Sequence, residues 1–350
     1  NIKMKKVSFY NIIEDTFQKN KEWKYYSEKV FEYDNPIKND ENSKKFIKDF
    51  IELSEKQGNS LQRTNFLQKQ VENIGNRATH IVSTFFIGHY IYQKTNFKEQ
   101  IDAYLKKKGE EEWQIKSSIS FTFVWFLTCL FHDLGYTIEK YEKVKYSSLK
   151  DLKDKTRDLD KVDGIPNFYG EVYENYYSYR IKYQNVNDHG ITAAYLLYDS
   201  LCKIRKEKEN KIETNLSWEN SLDKVYNFCA WNILAHNIWF CNESNKEAVE
   251  IYKYYKLNNL IFQDELTTNE KYKINREEHP FFFFLCLIDT IEPFKRVENY
   301  EDLKHIFLEH SKEQINITSL TDKYTLKDAG GLNNWLTPTE VKAIIKLKKS

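Results

Sequence analysis

The sequence predicts an all-α bundle carrying a small β-containing appendage at its C-terminal end. Three observations predict it. The 350 residues hold 10 glycines and 5 prolines, too few for a loop-rich or β-rich chain. Several apolar stretches recur at three-to-four spacing or are apolar nearly all round, as buried helices are. Hydrophobic residues make up 41% of the chain and aromatics 16%, enough for a sizeable core.

In order, residues 1–70 read as a charged helical extension packed on the core, with apolar positions at wide spacing (Phe46, Phe50, Leu53). The bundle takes 71–312. RATHIVSTFFIGHYIYQK (77–94) is a helix on which His80, Thr84 and Ile87 share a face. Residues 96–116 are polar and start as a surface helix. From Ser117, SSISFTFVWFLTCLFHDLG is apolar nearly all round. It reads as a central helix that starts on Ser117 or Ser118 and ends in a left-handed turn at Gly135. That ending puts His132 and Asp133 in its last turn. Residues 140–187 turn to Lys, Asp, Tyr and Asn, and hold Gly164, Pro166 and Gly170. They read as an insertion, partly helical over 145–162. A helix then begins after Asn187 or Asp188, with His189 in its first turn and the small pair Ala193-Ala194 allowing close packing. Residues 221–239 form an apolar helix ending at His236-Asn237, and 241–278 are mixed and polar. Pro280 opens a buried helix that carries Asp289 and ends near Pro293. Residues 313–350 alternate in short stretches around Gly330-Gly331 and read as a small β-containing appendage or a terminal helix. No repeat, heptad or low-complexity tract occurs.

The formal net charge is +1, from 53 basic and 52 acidic residues, which gives no argument for nucleic-acid binding. The five cysteines (Cys129, Cys202, Cys229, Cys241, Cys286) form no CxxC pair and read as reduced core thiols of a cytoplasmic protein. NIKMKKVSFYNIIEDTF lacks the apolar run of a signal peptide, and PFFFFLCLI is too short to span a bilayer, so no membrane partner is expected. The bias towards Lys, Asn, Ile and Tyr points to an AT-rich bacterial coding source.

The chemistry lies in six residues: His80, the pair His132-Asp133, His189, His236 and Asp289. Several lie at or near the end of an apolar stretch: TFVWFLTCLFHD, NFCAWNILAH, PFFFFLCLID. A core excludes ionised carboxylates and rarely holds several histidines unless something binds them. Imidazoles and carboxylates converging on an apolar scaffold match the donors of a divalent metal. Four ligands (His80, His132, Asp133, Asp289) suit one ion. His189 and His236, with Asp133 bridging, suit a second, giving two ions of Mn, Mg, Fe, Ni or Zn. Water held between two cations becomes a nucleophile near neutral pH. Arginine is scarce, seven of the 53 basic residues, and two of the seven flank the proposed ligands, Arg77 before His80 and Arg296 after Asp289. In a Lys-rich chain an Arg marks a place for a planar fork, either for phosphate or for a buried ion pair.

The pieces RATH (77–80), FHDLGY (131–136), NDHGITAAYLL (187–197), ILAHN (233–237) and LIDTIEPFKR (287–296) follow the order of the HD superfamily of metal-dependent phosphohydrolases, which this chain resembles over 77–296. The resemblance implies an all-α HD-domain bundle. It implies His80, His132, Asp133 and Asp289 as the first-metal set, and His189 and His236 as the added histidines of two-metal members. It implies hydrolysis of a phosphomonoester or phosphodiester, often of a nucleotide, by metal-activated hydroxide, with a small-molecule phosphate ester as the partner. Departures at LGYTIEK after the HD pair, and at Asn237 after His236, transfer no particular substrate.

Asp133, Arg77, Lys140 and Arg296 are the candidate catalytic residues, the last three to neutralise phosphate. Glu139 is a candidate ligand or supporting carboxylate, and Glu292 pairs with Arg296 or meets substrate. Tyr169, Tyr173, Tyr176 and Tyr177 either stack a base or pack the insertion. His89, His305 and His310 read as structural, and His279 as a capping or surface residue. The same ligand order also fits di-iron oxygenases of the superfamily, and a site without turnover would be a nucleotide or metal sensor.

Overall fold

The computed structural model describes residues 4–19, 37–52, 69–75, 77–115, 119–139, 144–161, 165, 169–170, 172–209, 222–262, 274–295, 297, 299–320 and 345–348. The fold is all-α with a small sheet. Strand β1 (Lys5–Ser8) leads into α1 (Phe9–Lys19), followed by α2 (Asp40–Glu52), α3 (Arg77–Lys94) and α4 (Phe97–Lys108). Next come α5 (Phe121–Cys129), the single turn α6 (Tyr136–Glu139), α7 (Leu149–Lys155) and α8 (Val172–Lys182). Then follow α9 (His189–Glu209), α10 (Asp223–Ala235), the short strands β2 (Cys241–Asn242) and β3 (Ile261–Phe262) on either side of α11 (Lys246–Tyr254), and α12 (Pro280–Ile291). Strands β4 (Ile306–His310), β5 (Ile315–Ser319) and β6 (Ile345–Lys348) complete the described chain.

Helix α3 is the hub. It is buried from Ala78 to Tyr92, so it has no solvent face. Helices α1 and α2 cover one side of it, and α4, α5 and α12 the other. Helix α9 lies along α10, and α10 packs on α5. The close approach of α9 needs Gly190, where a Cβ would sit 3.0 Å from the Ile233 carbonyl and 3.2 Å from the His236 ring. Pro280 occupies the first turn of α12, where its missing N–H costs nothing.

The sheet orders its strands β1-β4-β5-β6, antiparallel except for the parallel β5/β6 pair. Its register aligns Val7, Leu308, Ile317 and Leu347. Strand β4 alternates buried and half-buried residues, the period-two signature. The extension expected to be helical over 1–70 therefore opens with a strand of this sheet, and the boundary drawn at 312/313 falls within the β4–β5 hairpin. Gly330-Gly331 lies outside the described residues. Among the described residues, no helix is long and apolar enough to cross a membrane.

The central helix is shorter than its apolar run. Ser120, in extended backbone, caps it by accepting from the Phe123 N–H at 3.3 Å; Ser117 and Ser118 lie outside the described residues. It ends at Cys129 rather than at Gly135, which does not adopt a left-handed backbone. The cause is a side chain. His132 Nδ1 approaches the Cys129 carbonyl to 2.6 Å and takes the acceptor that another helical turn would use. His132 and Asp133 thus sit in the tight turn 130–135 after the helix. Helix α10 stops the same way, with His236 as its C-cap and its Nδ1 2.5 Å from the Ile233 carbonyl. Gly135 matters for close approach instead, since a Cβ there would overlap the backbone carbonyl of His189. The missing side chain lets the turn carrying Asp133 abut the start of α9.

Candidate metal centre

Five segments deliver the six residues to one place. His80 comes from the first turn of α3, His132 and Asp133 from the turn after α5, His189 from the start of α9, His236 from the end of α10 and Asp289 from α12. All four histidines and Asp133 are buried. His80 Nε2 lies 3.0 Å from Asp289 Oδ1 and 3.6 Å from Asp133 Oδ2. His132 Nε2 lies 3.3 Å from Asp289 Oδ1 and 3.5 Å from Asp133 Oδ1. His189 and His236 each bring Nε2 to 3.7 Å from Asp133 Oδ1. Asp133 therefore stands between two groups of imidazoles, with one oxygen towards His80 and the other towards the remaining three.

The back of each ring is tied down. His132 and His236 use the backbone carbonyls named above. His80 Nδ1 is 2.5 Å from Glu292 Oε2, and His189 Nδ1 is 2.6 Å from Glu139 Oε2. A carbonyl or carboxylate oxygen accepts, so Nδ1 carries the proton in all four rings. In the neutral imidazole Nε2 then presents its lone pair, the state a metal requires. Glu292 is itself held by the Ser83 hydroxyl (2.6 Å) and the Phe294 N–H (2.8 Å).

Three observations show that these residues fit a cation. Ligands about 2.1 Å from an ion in a tetrahedral shell stand roughly 3.4 Å apart. The facing atoms here are 3.0 to 3.7 Å apart. Asp133 Oδ2 is buried with no hydrogen-bond partner among the described residues, a costly state for a carboxylate that nothing binds. Three ligand sets with mutually close donor atoms, His80-His132-Asp133, His132-His236-Asp289 and Asp133-His189-His236, overlap within the cluster. The cluster could hold a metal ion.

Electrostatics agree. Burial works against an ionised Asp133, yet His132, His236 and His80 hold its carboxyl well below the usual range. Burial likewise opposes ionisation of Asp289, and Lys295, His132 and His80 overcome it. For His132, burial is outweighed by Asp133 and Asp289, and its pKa rises; for His236 burial prevails and its pKa falls. The centre thus keeps one buried and one half-buried carboxylate ionised and calls for positive charge.

Arg77 lies beside the cluster. Its Nη1 is 3.6 Å from Asp133 Oδ2, and its guanidinium lies 4.2 Å over the Tyr136 ring. Tyr136 in turn stacks on His189 at 3.8 Å. Lys140 and Arg296 lie outside the described residues, as does any pairing of Arg296 with Glu292. Glu139 and Glu292 support histidines from behind. Tyr169, Tyr173, Tyr176 and Tyr177 are all buried, so they pack the insertion and offer no face to a base. His89 is buried between Phe85 and Phe121, and His310 meets the Tyr90 hydroxyl at 3.0 Å. His279 occupies the N-cap position of α12 without a side-chain cap.

Sequence reasoning missed Lys295, whose Nζ is 2.6 Å from Asp289 Oδ1. Among so many lysines, its place after the Glu292-Pro293 bend was its sole signal. It offered Asn187 or Asp188 as the cap of α9, and Asp188 takes that place, but it missed the grouping of Asp188 with Arg180 and Asn237 behind His189. Asp188, the cap of α9, receives the Ile191 N–H at 2.9 Å and the Asn237 amide at 2.7 Å. No family model, curated protein or solved structure matches this chain.

Proposed function

We propose that the chain is a metal-dependent phosphohydrolase of the HD type, cleaving a phosphomonoester or phosphodiester of a nucleotide with two divalent cations. One observation carries this reading: four imidazoles, each with its Nδ1 proton secured behind it, turn Nε2 towards an Asp133 carboxylate whose own oxygen lacks a hydrogen bond. His80, His132 and Asp289 would hold one cation, His189 and His236 the other, and Asp133 would bridge them. Bound cations of this kind bring water to ionisation near neutral pH and offset charge on phosphate oxygens.

The chain's own residues supply the rest. Asp289, Arg77 and Lys295 are partly exposed, with side-chain accessibilities of 15%, 29% and 26%, and mark the side from which substrate enters. The Tyr136 ring seats the Arg77 guanidinium beside Asp133, where its fork can meet two phosphate oxygens at once. Lys295, on a flexible stem, exchanges Asp289 for a phosphate oxygen when substrate enters. The apolar walls from α3, α5 and α12 keep bulk water from the buried donors.

Purified protein loaded with Mn²⁺ should release phosphate or nucleoside from a member of a nucleotide panel, and the double variant His132→Ala with Asp133→Ala should not. Absence of turnover across Mn, Mg, Ni and Zn overturns the reading. Dioxygen consumption by iron-loaded protein without phosphate release would point to an oxygenase. Tight nucleotide binding without turnover would point to a sensor.

A further inference from the structure

Two of the histidines are backed by carboxylates. His80 leans on Glu292, which accepts from the Ser83 hydroxyl and the Phe294 N–H. His189 leans on Glu139, and the other oxygen of Glu139 accepts from the Arg180 guanidinium. Arg180 belongs to α8, in the segment 140–187 set into the bundle. Its Nε also lies 3.3 Å from the fully buried Asp188 Oδ2, the oxygen that receives the Asn237 amide. The Trp239 indole N–H, donating to Asn237 Oδ1 at 3.0 Å, fixes which way that amide faces. His189, Glu139, Arg180 and Asp188 thus form a chain of contacts that returns to the residue next to His189.

The backbone aims Arg180 at this spot. Helix α8 closes with the Val186 N–H donating to the Arg180 carbonyl at 3.1 Å, and Asn185 takes the left-handed conformation (φ 56°). That turn runs the chain straight into Asp188 and His189. The guanidinium therefore reaches the start of the very helix that carries His189.

We propose that Arg180 is a positioning residue for the second cation: through Glu139 and Asp188 it sets the tautomer and angle of the His189 ring, so the insertion governs occupancy of the His189–His236 ion while the His80–Asp289 ion is independent of it. The inference rests on the two-cation reading above. Loss of a group that orients a metal-bound histidine costs roughly 10–100-fold in metal affinity. A lysine cannot span both carboxylates with a planar fork, so Arg180→Lys should recover part of that loss.

The test is Mn²⁺ binding by equilibrium dialysis, with electron paramagnetic resonance to separate a coupled ion pair from an isolated ion. Wild type should take up two ions and show the coupled signal. Arg180→Met and Glu139→Gln should bind one ion with unchanged affinity and the second roughly 10–100-fold more weakly, giving the isolated-ion signal. Glu292→Gln should do the reverse and weaken the first ion. If Arg180→Met does not fold, as judged by circular dichroism, Glu139→Gln carries the comparison. Equal weakening of both ions, or of neither, in these variants overturns the role of Arg180 and leaves the two-cation reading standing. Uptake of fewer than two ions by wild type overturns both.

Discussion

His89 is the internal control for the four histidines of the centre. It shares α3 with His80 and is fully buried, but neither of its ring nitrogens has a hydrogen-bond partner among the described residues. Burial drives its pKa from 6.5 down to about 3. On acidification the unfolded chain takes up a proton that the folded chain refuses, so stability is full above 6.5 and is lost as pH falls towards 3. Each unit below 6.5 costs about 1.36 kcal/mol, so at pH 5 the loss from this residue is about 2 kcal/mol. His89→Leu removes the titrating group and the unpaired nitrogens at similar volume. His89 lies nine residues from His80, roughly 13 Å along the helix, so the two sites should behave additively. Urea unfolding at pH 8 and pH 5, in chelator, measures it. Between those pH values wild type should lose about 2 kcal/mol more than the variant. At pH 8 the variant should be more stable, since an unsatisfied buried polar group costs about 1–3 kcal/mol. An equal acid loss in both proteins, or a variant less stable at pH 8, would refute the reasoning.

Gly135→Ala should separate the Asp133 turn from α9, because the new Cβ meets backbone that cannot swing aside; calorimetry should show a stability loss of about 1–3 kcal/mol, and Mn²⁺ uptake should fall. Lys295→Met should raise KM for a phosphate ester more than it lowers kcat, read from steady-state kinetics. Metal binding should weaken as pH falls, beginning above pH 6.5, because Asp133 and Asp289 raise the pKa of His132 and its proton competes with the ion; isothermal titration calorimetry at pH 6 and pH 8 checks this. Excess Mn²⁺ should stabilise the fold by about 2.7 kcal/mol per site at 100-fold over Kd, and chelator should reverse the gain.

Much of the fold was legible because its signals are local. The span 77–94 reads as a helix from its own apolar spacing, and Pro280 marks the start of α12. The end of α5 was not legible, since it depends on a histidine side chain capturing a carbonyl, against an apolar run that continues to Leu134. Strand β1 was hidden for a similar reason: its partner β4 lies some 300 residues away, and its own four residues, Lys-Lys-Val-Ser, run from exposed to buried without the alternation that marks a strand. At the centre, the six donors were legible from residue type and order. The groups behind them were not. Arg180 and Asp188 are polar residues in polar stretches and Asn237 ends an apolar one, and what distinguishes them is their packing behind His189, which only the folded chain creates. Lys295 was one lysine among many until the bend after α12 placed it on Asp289.

Crystals grown with Mn²⁺, and diffraction data collected at the manganese edge, test the account most directly. Two anomalous peaks about 3.5–4 Å apart should flank Asp133, one among His80, His132 and Asp289, the other beside His189 and His236. A manganese-replete crystal with no peak between these imidazoles, or with the ions elsewhere on the protein, would contradict it.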